Sequence, residues 1–415
     1  MHAMYPGKVA VLGVALWTAW APSPARADQD ASPSDQKAVV DANTQFAFDL
    51  YAQLSKGGDN LLFSPFSVST SLGMTWAGAG GNTAKEMKKV LHGDIELAQW
   101  HAAMGALLGE LEMPGGKAGC EVRVANGLWV EQTRGLLPEF LAIGQKDYRA
   151  ELRAVDFAHS AEAQRKAINE WIDQRTNGKI KDIVPEKALK SDTVLVLTNT
   201  IYFKAGWEAT FDPKWTKEAA FTTAGGKSVP VPMMHQTSFG FGYAEQADLQ
   251  VLELPYVGKT FSMVILLPRK ADGITALEKM LSAKTLAGWL RGLWWQGERE
   301  VQVELPRFSL STADRLDQQL AELGMHDAFS VQAADFSRMS DMGEVFIGAL
   351  LHSAFIAVDE KGTEAAAASH ERATVKAEAP PEPAVFRADH PFIFVIRDVR
   401  SGSVLFLGRV MNPKA

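Results

Sequence analysis

Residues 360–369 read Glu-Lys-Gly-Thr-Glu-Ala-Ala-Ala-Ala-Ser, a run of small side chains placed directly after a strand-like segment, His352 to Val358. In an extended chain alternate side chains face opposite sides, so Thr363, Ala365, Ala367 and Ser369 share one face. All four are small and uncharged, and such a face slides beneath a sheet at little steric or desolvation cost. No proline interrupts residues 361–379, so every backbone N–H there can join a ladder. Pro380, Pro381 and Pro383 then block further pairing. Composition by itself also fits an alanine-rich linker or a short helix, since alanine is the best helix former. The rest of the chain separates a plain linker from a loop able to become a strand.

Of the 415 residues, 47% are hydrophobic, ample for a large core. That length allows two or three domains, but no Pro/Gly/Ser linker, charge run or internal repeat divides it, and one continuous fold is expected. Residues 1–27 carry a basic start (Lys8), an apolar stretch from Val9 to Ala21, and Ala25-Arg26-Ala27, an Ala-x-Ala cleavage site. They read as a signal peptide cut after Ala27, leaving 28–415 as a single domain, secreted or periplasmic. The apolar stretch is too short for an ordinary membrane span, and no membrane association is expected. Loss of Lys8 and Arg26 leaves 40 basic residues against 49 acidic ones, moving the net charge from −7 to −9. That balance argues against nucleic acid or polyanions as obligate partners. Cys120 is the only cysteine, so no intramolecular disulfide can form, and it reads as a buried, inert thiol. No Asn-x-Ser/Thr sequon occurs, so N-glycosylation is not expected.

Periodicity predicts an α+β fold. Val39, Ala42, Phe46 and Leu50 fall at helical spacing within Ser34–Gln53, with Ser34 as N-cap. Further helices are expected over Ser67–Ala77 and Ser160–Asn177, the last closed by Asn177-Gly178. Val194–Phe203 reads as a central strand, and Val251–Pro255 with Phe261–Leu267 as a hairpin. Val301–Leu310, Val345–Val358, Phe392–Asp398 and Val404–Val410 are also expected as strands.

Enzyme chemistry finds little support. Ser64 and His352 could be read with an aspartate as a hydrolase triad, but no Gly-x-Ser-x-Gly elbow exists and Ser64 precedes Pro65 in an apolar context. His370-Glu371 lacks the second histidine of a zinc protease motif, and Phe221 stands where the first glycine of a phosphate loop ending at Gly226-Lys227-Ser228 belongs. The nine histidines show no metal-ligand spacing. Neither catalysis nor a metal or other cofactor is expected.

Seven blocks, in order, carry a resemblance that covers almost the whole mature chain. They are Asn60–Met87 (NLLFSPFSVSTSLGMTWAGAGGNTAKEM), Ile168–Ile180 (INEWIDQRTNGKI), Leu195–Trp207 (LVLTNTIYFKAGW), Leu254-Pro255-Tyr256, Leu305-Pro306-Arg307-Phe308, Leu323–Phe329 (LGMHDAF), and Asp389–Phe392 (DHPF) with Asn412-Pro413 closing the chain. Each is weak alone; together they make the chain resemble the serpins. The resemblance implies three β-sheets surrounded by about eight or nine helices, with an exposed reactive-centre loop at about 360–385.

What the resemblance implies about mechanism is a secreted suicide inhibitor of serine proteases. A target protease attacks the loop and forms a covalent acyl complex; the hinge (Glu360, Gly362, Thr363, Ala365, Ala366, Ala367 and Ala368) then inserts as a new strand and the protease is trapped. The inhibitor is expected to be a monomer. Counting from Glu360 at inhibitory spacing puts the scissile bond between Lys376 and Ala377, which suits a trypsin-like target. A one-residue shift puts Val375 at the bond and suits an elastase-like one. Ser64, Ser67, Asn199 and His352 correspond to the family's hydrogen-bonded cluster where the main sheet parts. Trp207 and Glu360 correspond to its upper end, where an ion pair of Glu360 with Arg307, both groups half exposed, is expected to pin the sheet. Glu371 shares the parity of Thr363 and is costly to bury. Lys85, Lys88 and Lys89 resemble a basic helix face but read as solvated. A non-inhibitory serpin acting as carrier or chaperone-like protein is the alternative within the same fold.

Overall fold

Val39, Phe46 and Leu50 do lie on the buried stripe of a helix, α1, spanning Pro33–Leu54. Its N-cap is Ser32, not Ser34: the Asp35 N–H donates to Ser32 Oγ at 3.1 Å. Pro33 then occupies the first turn, where a missing N–H costs nothing. The computed structural model describes residues 31–111, 120–293, 299–363 and 382–414. Among them nine α-helices surround three β-sheets, and the residues from Ala31 onward form one compact unit.

The remaining helices are α2 (Pro65–Ala77), α3 (Gly81–Val90), α4 (Leu97–Leu111), α5 (Pro138–Lys146), α6 (Phe157–Arg175), α7 (Ile274–Met280), α8 (Ala283–Gly292) and α9 (Asp317–Glu322). Helix α2 starts two residues before the expected Ser67, because Ser64 caps it and Pro65 opens it. Every residue of α2 is buried. Some of its polar residues bond back to the preceding turn, as Thr70 Oγ1 does to the Phe66 carbonyl at 2.6 Å and Thr75 Oγ1 to Ser71 at 2.8 Å, while Ser71 Oγ is buried without a partner among the described residues. Helix α6 begins at Phe157, not Ser160: Asp156 accepts from the His159 N–H at 2.9 Å, and Ser160 itself sits at a non-helical φ of −139°. The helix ends at Arg175, after which Asn177 and Gly178 take positive φ.

Strands are numbered along the chain. The main sheet runs β11 (Phe308–Arg315), β12 (Ile347–Asp359), β13 (Gly362–Thr363), β4 (Leu195–Gly206), β2 (Cys120–Glu131), β3 (Glu151–Val155). A second sheet runs β1 (Leu61–Phe63), β16 (Val404–Val410), β15 (Phe392–Asp398), β9 (Phe261–Pro268), β8 (Leu249–Pro255), β7 (Gly242–Glu245). The third runs β14 (Ala384–Arg387), β10 (Val301–Pro306), β6 (Ser228–Ser238), β5 (Lys217–Thr222). The strand expected over Val301–Leu310 is two strands in different sheets. Pro306 ends β10, and the Arg307 N–H turns to the Pro232 carbonyl at 2.9 Å, after which Phe308 opens β11.

Strand β4 is apolar on both sides because the main sheet is covered on both. Leu195, Leu197, Ile201 and Phe203 join the principal core. Val196 packs on the other face with Trp129, Ile168 and Trp171, the layer supplied by α6. Gly226-Lys227-Ser228 belongs to the tight turn between β5 and β6: the Thr223 N–H bonds to the Lys227 carbonyl and Gly226 N–H to Thr223. Those internal bonds leave no cradle of N–H groups for a phosphate.

Candidate functional site

The site is the seam between β12 and β4, two parallel strands that are neighbours in the main sheet though far apart in sequence. They pair directly from Ile347↔Leu195 up to Phe355↔Tyr202. Above that level they separate, and Gly362 and Thr363 fill the gap as β13, antiparallel to both: Thr363 faces Val358 on one side and Ala205 on the other. The first residues after the β12 turn are therefore inside the sheet, where the sequence reading has the hinge as a solvated loop until cleavage.

Gly362 is required there. Its φ is +145°, and a Cβ would lie 2.2 Å from the Ala205 carbonyl oxygen and 2.7 Å from Gly206 Cα, so no side chain fits without moving backbone. Thr363 is fully buried, and its hydroxyl lies 2.8 Å from that of Tyr256. Tyr256 stacks on Trp207 with centroids 4.6 Å apart and planes 10° from parallel. Trp207 Nε1 in turn donates to the Asp359 carbonyl at 2.9 Å, and the Trp207 N–H to Lys361 at 2.9 Å. Trp207 thus grips both sides of the turn that delivers Gly362 to the seam.

Glu360 sits in that turn. Arg307 Nε donates to its Oε1 at 2.7 Å, Arg307 Nη2 and Thr216 Oγ1 donate to the same oxygen, and the Glu360 carbonyl accepts from Phe211 N–H. Glu360 is 4% exposed, so it is buried and not half exposed; the Arg307 side chain is 44% exposed. Burial alone would raise the Glu360 carboxyl, but the hydrogen bonds from Arg307 and Thr216 hold it below the usual range.

Lower in the seam a polar row crosses three strands at one level, since Asn126 pairs with Asn199 and Asn199 with His352. Asn199 Nδ2 donates to Asn126 Oδ1 at 2.5 Å and to the Ser67 carbonyl at 2.7 Å. Asn199 Oδ1 lies 2.6 Å from His352 Nδ1. The Ser64 N–H donates to His352 Nε2 at 3.0 Å, and Ser64 Oγ caps the Ser67 N–H at 3.1 Å. A backbone N–H on Nε2 fixes that nitrogen as acceptor, so Nδ1 carries the proton and the ring is neutral. Burial pushes the His352 imidazole down to about 3. The row joins β2, β4 and β12 to the N-terminus of α2, using groups that can be re-paired when strands part.

Ser64, Ser67, Asn199 and His352 are thus brought together, as are Trp207, Arg307 and Glu360 with Gly362 and Thr363. Ala365, Ala366, Ala367, Ala368, Glu371, Lys376 and Ala377, like the cleavage position after Ala27, lie outside the described residues. Cys120 is buried at the top of β2, its thiol pushed up to about 11 by burial and 3.4 Å from the Val257 carbonyl. Lys85, Lys88 and Lys89 lie on α3, each exposed. Sequence reading missed three members of the site. Tyr256 was visible only as part of Leu-Pro-Tyr. Thr216 and Asn126 carry no motif, and only the register of β2 on β4 and the path of the chain before β5 reveal them.

Among the described residues, nine helices around three sheets, with a seam between parallel strands of the main sheet, match the fold of the serpins, and the chain belongs to that family: the profile of the serpin (serine protease inhibitor) family spans residues 41–413. The leukocyte elastase inhibitor of Sus scrofa is 42% identical over 379 residues, covering 90% of this chain and 98% of that one. An uncharacterized serpin-like protein of Thermococcus kodakarensis is 43% identical over 382 residues, covering 91% and 87%. Among solved structures, uncleaved ovalbumin superposes with a TM-score of 0.81 at 29% identity, over 91% of this chain and all of that one. Membership places the chain in a family of protease inhibitors, not of catalysts, with a protease as the partner it points to.

Proposed function

We propose that the protein is an exported, monomeric suicide inhibitor of serine proteases. Its loop is cleaved after Lys376, the protease is held as an acyl complex, and the loop enters the seam as a full strand. The observation that carries this reading is Gly362 and Thr363 between β12 and β4, with paired backbone on both sides. Insertion has only to continue along a path whose first step is taken. Ala365 and Ala367 follow Thr363 at the same parity and bring only methyl groups to the same face. The polar row at Asn199 and His352 lies directly in that path, so each of its hydrogen bonds between β4 and β12 must open as the strand arrives. Glu360 and Arg307, by holding the turn, set how readily the hinge moves.

Lys376 at the bond supports a trypsin-like target, whose acidic specificity pocket takes a basic side chain. A second reading has support of its own. Leukocyte elastase inhibitors of three mammals are 40–42% identical to this chain, and a register one residue earlier presents Val375, a small apolar side chain suited to elastase-like enzymes. Incubation with trypsin and with an elastase, followed by denaturing electrophoresis and mass spectrometry, separates the two. A covalent complex with trypsin and a released fragment starting at Ala377 is expected; a fragment starting at Lys376, with the complex formed by elastase, transfers the role to Val375. Cleavage by both without any stable complex, with equal melting of cut and intact protein, would make this a non-inhibitory member. Export predicts a mature N-terminus at Asp28, read by N-terminal sequencing.

A further inference from the structure

Strand β14 is an edge of the third sheet, and among the described residues it pairs with β10 alone. Backbone bonds of 2.9 Å close its two ends, from the Ala384 N–H to the Glu300 carbonyl and from the Ala388 N–H to the Glu304 carbonyl. Just past the second bond, Asp389 and His390 tie the chain to two further strands. The Asp389 carbonyl accepts from the N–H of Thr222, the last residue of β5, at 2.8 Å. The buried His390 ring has Nδ1 2.7 Å from Asp389 Oδ1 and Nε2 2.6 Å from the carbonyl of Pro268, where β9 ends in the second sheet.

A carboxylate and a carbonyl only accept, so both ring nitrogens of His390 face acceptors. A neutral imidazole carries one N–H, and whichever nitrogen lost its proton would set a lone pair against oxygen. The imidazolium, with two N–H groups, is the form that fits. Burial alone would lower the imidazole, but the bonds to Asp389 and to the Pro268 carbonyl hold it above its ordinary range. Asp389 is the charged group that bears on the ring. On the segments around it, Arg387 pairs with Glu304, Arg269 beside Pro268 pairs with Glu245, and Lys227, Asp248 and Lys270 are exposed. We propose that protonated His390 is a clasp that holds the far end of β14 to β5 and β9, and that loss of its proton frees β14 to peel from β10. The clasp is complete below the unfolded imidazole's value, near 6.5, and is lost as the pH rises through the higher folded one. The chain re-enters the sheets at β14 after the reactive-centre segment, so the clasp sets how firmly that end is held. It does not depend on protease inhibition.

Two measurements on the full chain test it. An NMR titration of labelled histidines reads the ionisation of His390, whose signal is the one missing from His390→Gln. Amide hydrogen exchange at Ala388, followed over the same pH range, reads the peeling. After allowance for the intrinsic rise of exchange with pH, Ala388 should speed up about tenfold for each pK unit by which the fold raises His390. The step should share the midpoint of the His390 titration, and the amides of β16 should show none. His390→Gln, which cannot ionise, should exchange fast at every pH. His390→Arg, which keeps both the charge and more than one donor, should stay slow at every pH. A His390 titration below about 6.5 would overturn the proposal, as would no step at Ala388 while His390 titrates, or an equal step in β16. So would a step that persists in His390→Gln, which would assign it to another group such as His235, 3.8 Å from Glu304. Should His390→Arg fail to fold, His390→Gln and the comparison of midpoints decide the matter.

Discussion

The hydroxyls of Tyr256 and Thr363 lie 2.8 Å apart where neither side chain meets solvent. Burial pushes the Tyr256 hydroxyl far above its ordinary range, so it remains a neutral donor and acceptor at any physiological pH. The bond ties the first inserted residue of the hinge to a ring that is itself stacked on Trp207. Tyr256→Phe and Thr363→Val each leave one hydroxyl buried without a partner, and each should lower stability by about 1–2 kcal/mol. The double variant removes both orphans and should lose less than the sum. Urea denaturation of the four proteins measures the coupling; strict additivity would mean that the pair does not interact.

The Arg307–Glu360 pair makes a different kind of prediction, because one partner is buried and the other half exposed. Solvent screens Arg307, so the pair's contribution to bulk stability is small, on the order of 1 kcal/mol. Its position in the turn gives it leverage over the hinge instead. Arg307→Glu sets two carboxylates against each other with only Thr216 left to donate, and native gels after mild heating should show faster polymerisation than wild type. Adding Glu360→Arg restores opposite charges, and Thr216 can then accept where it formerly donated. The double variant should polymerise more slowly than Arg307→Glu; an equal or faster rate would remove the pair from the gate.

How much of this was legible in the sequence differs between fold and site. Helices with a clean apolar stripe, such as the one through Val39, Phe46 and Leu50, and apolar strands such as β15 and β16 follow from local periodicity. Their limits do not: Ser32 in place of Ser34, and Asp156 in place of Ser160, depend on which side chain reaches which N–H. The break at Arg307 leaves a trace that a single-strand reading passes over: apolar residues fall on odd positions up to Leu305 and on even ones from Phe308, with Pro306 between them. For the site, those residues named from resemblance that lie among the described ones, Ser64, Ser67, Asn199, Trp207, Arg307, His352, Glu360, Gly362 and Thr363, are placed along one seam, but the state of the hinge did not follow from them. Whether Thr363 is outside or inside depends on Tyr256, Trp207 and Ala205, three residues distant in sequence. Glu360 was expected half exposed in its ion pair with Arg307; it is buried, and Thr216 and Arg307 satisfy it in place of water.

His352 should give the seam a pH dependence with a defined direction. The folded imidazole takes its proton only near pH 3, whereas the unfolded one does so near 6.5. Between those values the unfolded chain binds the extra proton, so the contribution is full above about pH 6.5 and is lost as the pH falls toward about 3. Its slope is at most about 1.4 kcal/mol per pH unit. The groups around the ring are Ser64, Asn199 and, across the strand, Asp314. Asp314, whose carboxyl is raised by burial, acts in the opposite sense and favours the fold in acid. The difference between wild type and His352→Gln isolates the imidazole, since glutamine can still accept from Ser64 and donate to Asn199. Denaturant titrations from pH 7 to 4 should show wild type losing more stability than the variant; parallel curves would mean that the ring is not held neutral by the fold.

Thr363→Arg tests the inserted hinge and the proposed mechanism together. In the intact protein Thr363 lies between Val358 and Ala205, fully buried and bonded to the neutral Tyr256 hydroxyl. Burying an unpaired guanidinium there costs several kcal/mol, so β13 should leave the seam and the hinge become accessible to proteolysis at Lys361. After cleavage at the reactive bond the same cost opposes re-insertion. At about 1.4 kcal/mol per tenfold in rate, insertion slows by orders of magnitude and ordinary deacylation overtakes it. The variant should therefore be cut at the same bond by the same protease and release active enzyme with no covalent complex. Gly362→Ala provides the check at the smallest scale, because its one methyl would lie 2.2 Å from the Ala205 carbonyl oxygen. It should shift the outcome in the same direction without adding any charge. If both variants trapped protease as efficiently as wild type, insertion through the gap between β12 and β4 would not be how this protein arrests its target.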